Sequence, residues 1–314
     1  MNWSDASAGP DGGLLVVLAG PTAVGKSDVA LAVALRVGGE IVAADSMTVY
    51  RGLDRGTAKP SAEDRRLVPH HLIDVVGAGE PFSVARYQTL ARAAVAGVHR
   101  RGRVPLLVGG TGLYVSAVID YPDFPPAPPS PALRALLAGE EPASLHRRLH
   151  SLAPEAAARI HPADRRRLIR ALEVLSHGPS PAGAPPRHDL LMFGLRRERH
   201  ELYRRIEARV DLMFRRGLVE EVAILRAAGL TRDAQSMQAL GYKQVFAHLE
   251  GECSLEHAIS LVKRDTRRYA KRQLTWFRRD RRIAWITLGE DRGTGAAAAD
   301  IAGQVAARWG RIVE

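Results

Sequence analysis

Blocks of apolar residues separated by polar and glycine-rich stretches run along this chain, and their spacing predicts its elements. The five apolar residues 14–18 read as a strand buried on both faces, and the Ala- and Leu-rich residues 28–37 read as a helix. A second strand is expected at 40–44. After a loop carrying Gly52, Gly56 and Pro60 come a short helix near 61–67 and a strand around 72–76. Ser83 suits an N-cap and opens a long Ala-rich helix to about Arg101, and 104–108 forms a further buried strand. Strands alternating with helices predict an α/β fold, a doubly wound parallel sheet whose ligands sit at the carboxyl ends of the strands.

The rest of the chain divides at two loops. Residues 121–131 hold six prolines and residues 178–187 four more. Helical patterns at 143–152 and 164–175 lie between them, so 125–188 is expected to be a helical insertion domain. The core domain would then comprise 14–124 and 189–314, with 1–13 disordered. Within its second half, 190–195 and 283–288 read as strands, and 198–216, 218–228 and 255–279 as helices.

The first strand runs into Gly20-Pro21-Thr22-Ala23-Val24-Gly25-Lys26-Ser27, which fits G-x-x-x-x-G-K-[ST] between a predicted strand and a predicted helix. Its glycines let consecutive N–H groups point at an oxyanion, Lys26 adds a point charge, and Ser27 offers a hydroxyl to Mg2+. This is a di- or triphosphate site, and it makes the expected α/β fold a P-loop NTPase-like doubly wound parallel sheet with a helical insertion domain. ATP is the default ligand, and any diphosphate would fit the same cradle. Just past two other strand ends stand Asp45, able to hold a metal, accept a proton or cap a turn, and Thr111, able to donate to a leaving phosphate oxygen or cap a helix. From its surroundings Arg209 reads as a surface arginine paired with Glu207.

Charge narrows the partner. The net charge is +11, yet residues 1–130 carry 12 basic and 12 acidic side chains, so the excess lies in 131–314. A polyanion bound by the C-terminal part explains that asymmetry. The basic run 263–282 interleaves Tyr269, Trp276 and Phe277, which suits phosphate contacts plus base stacking and favours RNA. A membrane surface is disfavoured, because no apolar run is long enough to span and no basic amphipathic helix carries bulky anchors. The lone Cys253 and the lack of a signal-like start suit a cytoplasmic protein, and no histidine has metal-ligand spacing.

In order along the chain, GPTAVGKS at 20–27, DSMTVYRGLDRGTAKP at 45–60, HHLID at 70–74, FSVARY at 82–87 and VGGTGLY at 108–114 resemble one family. So do RIHPADRRRLIRALEV at 159–174, RIEARVD at 205–211, MQALGYK at 237–243 and KRQLTWFR at 271–278. Together they resemble the tRNA dimethylallyltransferases, which modify adenosine beside the anticodon. The resemblance implies transfer of a dimethylallyl group from dimethylallyl diphosphate to the N6 amine of adenosine at tRNA position 37, with Mg2+ as cofactor and a monomer as the unit. It implies that Gly20, Thr22, Ala23, Val24, Gly25, Lys26 and Ser27 surround the diphosphate, with Ser27 on the metal. Asp45 would take the proton from N6, Thr111 would bond near the breaking C–O bond, and Arg209 would reach the diphosphate.

The resemblance also implies contacts to the tRNA anticodon stem-loop. Asp45, Ser46, Met47, Thr48 and Thr111 would meet it beside the reacting base. Arg134, Arg166, Arg167, Leu168, Ile169 and Arg170 would do so from the insertion. Gln238, Gly241, Tyr242, Lys243, Lys271, Arg272, Gln273, Trp276 and Arg278 would do so from the C-terminal half. The family usually has Gln where this chain has Thr48, whose hydroxyl can still donate or accept. Two other readings stand beside this one. A small-molecule P-loop kinase would consume ATP, and a non-catalytic RNA-binding protein would have no use for Asp45 and Thr111 beside an intact cradle.

Overall fold

A computed structural model describes residues 12–120, 130–177 and 188–310. The proline-rich stretches at 121–129 and 178–187 lie outside the described residues, as does the segment 1–11. Gly12 and Gly13, expected to be disordered, instead begin the first strand. The chain divides into two compact units, Met1–Tyr121 with Pro185–Glu314, and Pro122–Ala184.

In chain order the larger unit begins with β1 (Gly12–Ala19), α1 (Lys26–Val37), β2 (Glu40–Ala44), α2 (Ala62–Leu67), β3 (His70–His71), α3 (Val84–Arg100), β4 (Pro105–Gly109) and α4 (Gly112–Ile119). The smaller unit holds α5 (Pro131–Leu137), α6 (Pro142–Leu152), α7 (Pro154–Ala158) and α8 (Arg165–Ser176). The larger unit resumes with β5 (His188–Arg197), α9 (Arg199–Arg215), α10 (Leu218–Ala227), α11 (Tyr242–Leu249), α12 (Leu255–Phe277), β6 (Ala284–Leu288) and α13 (Thr294–Trp309).

Among the described residues, six strands form one all-parallel sheet in the order β3-β2-β4-β1-β5-β6. The central strand β1 alternates between two cores. Leu15 and Val17 pack with residues of α3, α4, α10 and α11, while Leu14, Val16 and Leu18 pack with those of α1, α9 and α13. A strand buried on both faces needs this continuous apolar run, which is why its sequence carries no polar alternation. The register sets the functional end of the sheet. Ala19 of β1 and Ala44 of β2 both lie opposite Gly109 of β4, so the segments after residues 19, 44 and 109 leave from one row.

The strand expected at 72–76 is absent. Pairing with β2 stops at His71, because Leu72 and Asp74 adopt left-handed backbone (φ +65° and +58°) and turn the chain out of the sheet. Two ion pairs hold this strained turn, Lys59 Nζ to Asp74 Oδ1 at 2.5 Å and Arg65 Nη1 to Asp74 Oδ2 at 2.8 Å. Val76 then makes a single bridge to Tyr50. The sequence reading also missed α11 and α13. The buried face of α13 is mostly alanine (Ala297, Ala298, Ala302 and Ala306 around Ile301 and Val305), which gives weak hydrophobic contrast.

The smaller unit is a helical cluster around Leu137, Leu145, Leu149, Leu168 and Leu172. Glu173 is fully buried within it. Its carboxylate accepts from Ser130 N (3.0 Å), from Arg134 at Nε (2.6 Å) and Nη2 (2.9 Å), and from Arg170 Nη1 (3.2 Å), so a buried charge is matched on all sides. These partners hold the Glu173 carboxyl well below its ordinary value, at about 2.

Candidate active site

The loop from Gly20 to Ser27 joins β1 to α1 and leans on its neighbours. At Gly20 φ is +150° and a Cβ would stand 2.7 Å from the Leu195 carbonyl of β5, so no other residue fits there. Arg197 Nε donates to Val24 O and Arg205 Nε to Ala23 O, each at 2.9 Å, bracing the outside of the loop. On the opposite side Thr22 N donates to Gln273 Oε1 at 2.9 Å, and Gln273 Nε2 donates to Gly110 O at 2.9 Å. One buried amide on α12 thereby ties the loop to the end of β4. The first N–H groups of α1 have no partner within the helix and supply an anion-binding terminus.

Lys26 folds back over the loop, and its Nζ donates to Gly20 O (2.9 Å) and Pro21 O (2.7 Å). Burial pushes its pKa down to about 7, the Asp45 carboxylate pulls it upward, and the Arg209 guanidinium lowers it further. These three charged groups therefore share one neighbourhood. Arg209, on α9, is likewise lowered by burial and raised by Asp45, and its Nη2 donates to Thr57 O at 3.3 Å. The surface pair with Glu207 does not form, since Glu207 binds Arg267 at 2.6 Å instead.

A cavity of about 570 Å3 collects these groups. Thr22, Ala23, Gly25, Lys26 and Ser27 of the loop line it, together with Asp45, Thr48, Arg209, Tyr269 and Gln273. Val24 lies behind this surface in the core and Gly20 against β5. The carboxylate of Asp45 is held by Met47, whose N–H donates to Oδ1 at 2.8 Å; among the described residues no hydrogen bond engages Oδ2. Thr111 precedes α4 but makes no side-chain cap there; its Oγ1 accepts from Ser46 N at 3.1 Å. Burial, with the Asp45 charge, pushes the pKa of the Tyr269 hydroxyl up to about 12, against a smaller lowering by the Thr111 and Gln273 side chains. Asp45, Tyr269 and Gln273 are among the residues lining the cavity, and Thr111 is not.

Sequence reasoning gave no site role to Lys59 or Arg205, and placed Tyr269 only among aromatics suited to stacking on RNA, not in the cavity. The signal for Tyr269 was its spacing of four residues from Gln273, which places both on one helical face. Lys59 lines the cavity with its side chain 3% exposed, bonded to Tyr50 O, Asp54 Oδ1 and Asp74 Oδ1 at 2.7, 2.6 and 2.5 Å. A second cavity, of about 730 Å3, shares Ala58, Lys59, Arg209 and Leu212 with the first and is walled by α9 and α10.

The residues expected to meet RNA divide three ways. Lys271, Arg272, Trp276, Arg278, Arg166 and Arg167 are exposed on α12 or α8, or just beyond α12, and Gln238 is exposed before α11. Ser46, Met47, Lys243, Ile169 and Arg170 are half-buried, while Arg134 is exposed but engaged by Glu173. Leu168 and Tyr242 are fully buried in the cores of their units, Gly241 caps α11 with φ +94°, and Gln273 is 4% exposed and faces the cavity. The side chains of Leu168 and Tyr242 therefore present nothing to an outer surface.

The profile of a family described as IPP transferase matches residues 48–280. The chain belongs to this IPP transferase family. It is 52% identical over 301 residues to the tRNA dimethylallyltransferase of Desulforudis audaxviator, covering 93% of this chain and 97% of that protein. Among solved structures, the full-length tRNA isopentenylpyrophosphate transferase of Bacillus halodurans is similar with a TM-score of 0.71 at 44% identity, over 94% of this chain and 96% of that one. A eukaryotic dimethylallyltransferase caught acting on tRNA superposes with a TM-score of 0.81 at 26% identity, over 96% of this chain and 81% of that one. Family membership favours prenyl transfer over the kinase and the non-catalytic RNA-binding readings. Among the described residues no helix is long and apolar enough to cross a membrane, and no cluster of three His, Cys, Asp or Glu side chains is placed to hold a metal.

Proposed function

We propose that this IPP transferase moves a dimethylallyl group from dimethylallyl diphosphate to the N6 amine of an adenosine beside the tRNA anticodon, at position 37, and releases diphosphate. The observation carrying this reading is the convergence of Lys26, Arg209 and Asp45 on one cavity, two cations for a leaving diphosphate and one carboxylate for a proton. The adenine amine is a weak nucleophile, since its lone pair is delocalised into the ring. An allylic carbon compensates because positive charge on it is delocalised as the C–O bond breaks. The N6 lone pair forms the new C–N bond, the C–O electron pair leaves with the diphosphate, and the N6 proton passes to Asp45.

Charge growing on the diphosphate is met by the N–H groups at the start of α1, by Lys26 and by Arg209, fixed in place before the reaction. Tyr269, which lines the cavity with Asp45, borders the space for the base, and Thr111 steadies the backbone after Asp45 by accepting from Ser46 N. An anticodon-loop base enters at small unstacking cost. The oxygen-only donors here, the Ser27 hydroxyl with the substrate's own phosphates, suit Mg2+, which keeps most of its waters and needs few protein ligands. Ser27 would hold the ion, which when bound neutralises diphosphate charge. The exposed basic residues Lys271, Arg272 and Arg278 with Trp276 supply a surface for the stem-loop.

Asp45→Asn tests the assignment of the base. Transfer to tRNA should fall at least about 100-fold, the scale of general-base catalysis, while diphosphate affinity stays within a few-fold of wild type. Undiminished turnover in this variant would remove Asp45 from the chemistry.

A further inference from the structure

The loop between β2 and α2 carries three consecutive backbone N–H groups, those of Asp54, Arg55 and Gly56, that converge on one pair of side chains. Asp54 N lies 3.2 Å from both Glu221 carboxylate oxygens, and Arg55 N lies 3.2 and 3.0 Å from Oε1 and Oε2. Gly56 N donates to the Tyr242 hydroxyl at 3.2 Å, and that hydroxyl donates to Glu221 Oε1 at 2.5 Å. A run of amides aimed at one anion is the geometry by which backbone nests hold phosphates. Here the anion is the protein's own carboxylate, reaching across from α10. Gly56 is required for the approach, since a Cβ there would stand 2.4 Å from the Tyr242 ring.

What the nest fixes is the segment that follows. Thr57 O receives Arg209 Nη2, Thr57 Oγ1 donates to Leu53 O, and Ala58 is held in left-handed backbone at φ +47°. Thr57, Ala58 and Lys59 all line the cavity that contains the phosphate loop. The acceptor carbonyl of Arg209 is therefore placed by a turn whose N–H groups end on Glu221 and Tyr242.

We propose that Glu221 and Tyr242 are positioning residues: they clamp the 54–56 amides and so hold Arg209 in the orientation that grips the diphosphate. This rests on the reading of Arg209 as a diphosphate ligand. Tyr242 thereby acts from inside the protein, through the loop, and makes no contact with RNA.

A double-mutant cycle tests it, with inorganic diphosphate as the probe in calorimetry and tRNA as the varied substrate in transfer assays. Tyr242→Phe keeps the ring in its pocket, and Glu221→Gln keeps the volume. Each is expected to weaken diphosphate binding about 5- to 30-fold and to leave the KM for tRNA within two-fold. In an Arg209→Ala background neither substitution should weaken diphosphate binding further, because the group they position is gone. Losses that multiply with Arg209→Ala, or a raised KM for tRNA with diphosphate affinity intact, would overturn the proposal. The calorimetric cycle reads Arg209 directly, so it decides this point even if the prenyl-transfer assignment fails. A wild-type enzyme that binds diphosphate but transfers no prenyl group would count against that assignment alone.

Discussion

Raising the pH should make the diphosphate site take up a proton as it fills. Burial holds the free Lys26 amine at a pKa of about 7, against 10.5 for an ordinary lysine. An anion seated on the loop favours the charged amine and returns it toward its ordinary range. At pH 8.5 only about 3% of the free protein carries a charged Lys26, so binding draws in nearly one proton; at pH 6 it draws in about 0.1. Affinity should accordingly fall by about tenfold per pH unit above 7. Calorimetry with dimethylallyl diphosphate in two buffers of different ionisation enthalpy counts the protons. Lys26→Arg, charged throughout this range, subtracts the protons of the ligand itself. The free protein gives a second reading of the same shift. Between about 7 and 10.5 the native state binds fewer protons at Lys26 than the unfolded state, so this residue makes stability rise with pH across that window. Proton uptake at pH 8.5 equal in wild type and Lys26→Arg would refute the reasoning.

Two further perturbations follow from the geometry. Glu173→Gln removes a fully buried carboxylate from its guanidinium and amide partners and should cost about 3 kcal/mol in denaturant unfolding, the lower end for a broken buried pair because both arginines remain partly hydrated. Its folded pKa lies below the unfolded value, so the contribution is complete above about 4.5 and disappears as pH falls toward 2; wild type should lose this increment over that window and the variant should not. Replacing both exposed residues Lys271 and Arg272 by Ala should weaken tRNA binding and flatten the plot of log affinity against log salt by about 0.7 for each phosphate no longer neutralised, measured by filter binding from low to physiological salt.

The sheet was legible in the sequence because its strands are continuous apolar runs, each ending at a glycine or a polar residue that the parallel register then aligns. The third strand was not, because residues 72–76 look apolar while the backbone obeys Asp74, whose two ion partners lie 9 and 15 residues away. At the site, local motif chemistry pointed to the loop before α1, Asp45 and Thr111, of which the loop and Asp45 line one cavity and Thr111 does not. The position of Arg209 depended on long-range packing. Glu207 looked like its partner, but two residues apart on α9 the two side chains leave opposite sides of the helix, Glu207 toward Arg267 of α12 and Arg209 toward the cavity. Tyr242 and Gln273 belong to motifs that resemble RNA-contacting segments, and burial alone reveals that each is turned inward.

The central claim is that this cavity joins a five-carbon allylic group to an RNA amine. Mass analysis of nucleosides from an unmodified tRNA transcript, incubated with the purified protein, dimethylallyl diphosphate and Mg2+, tests it most directly. One adenosine beside the anticodon should gain a dimethylallyl unit, with one diphosphate released for each. An unchanged adenosine, in a reaction where ATP is consumed instead, would contradict the account.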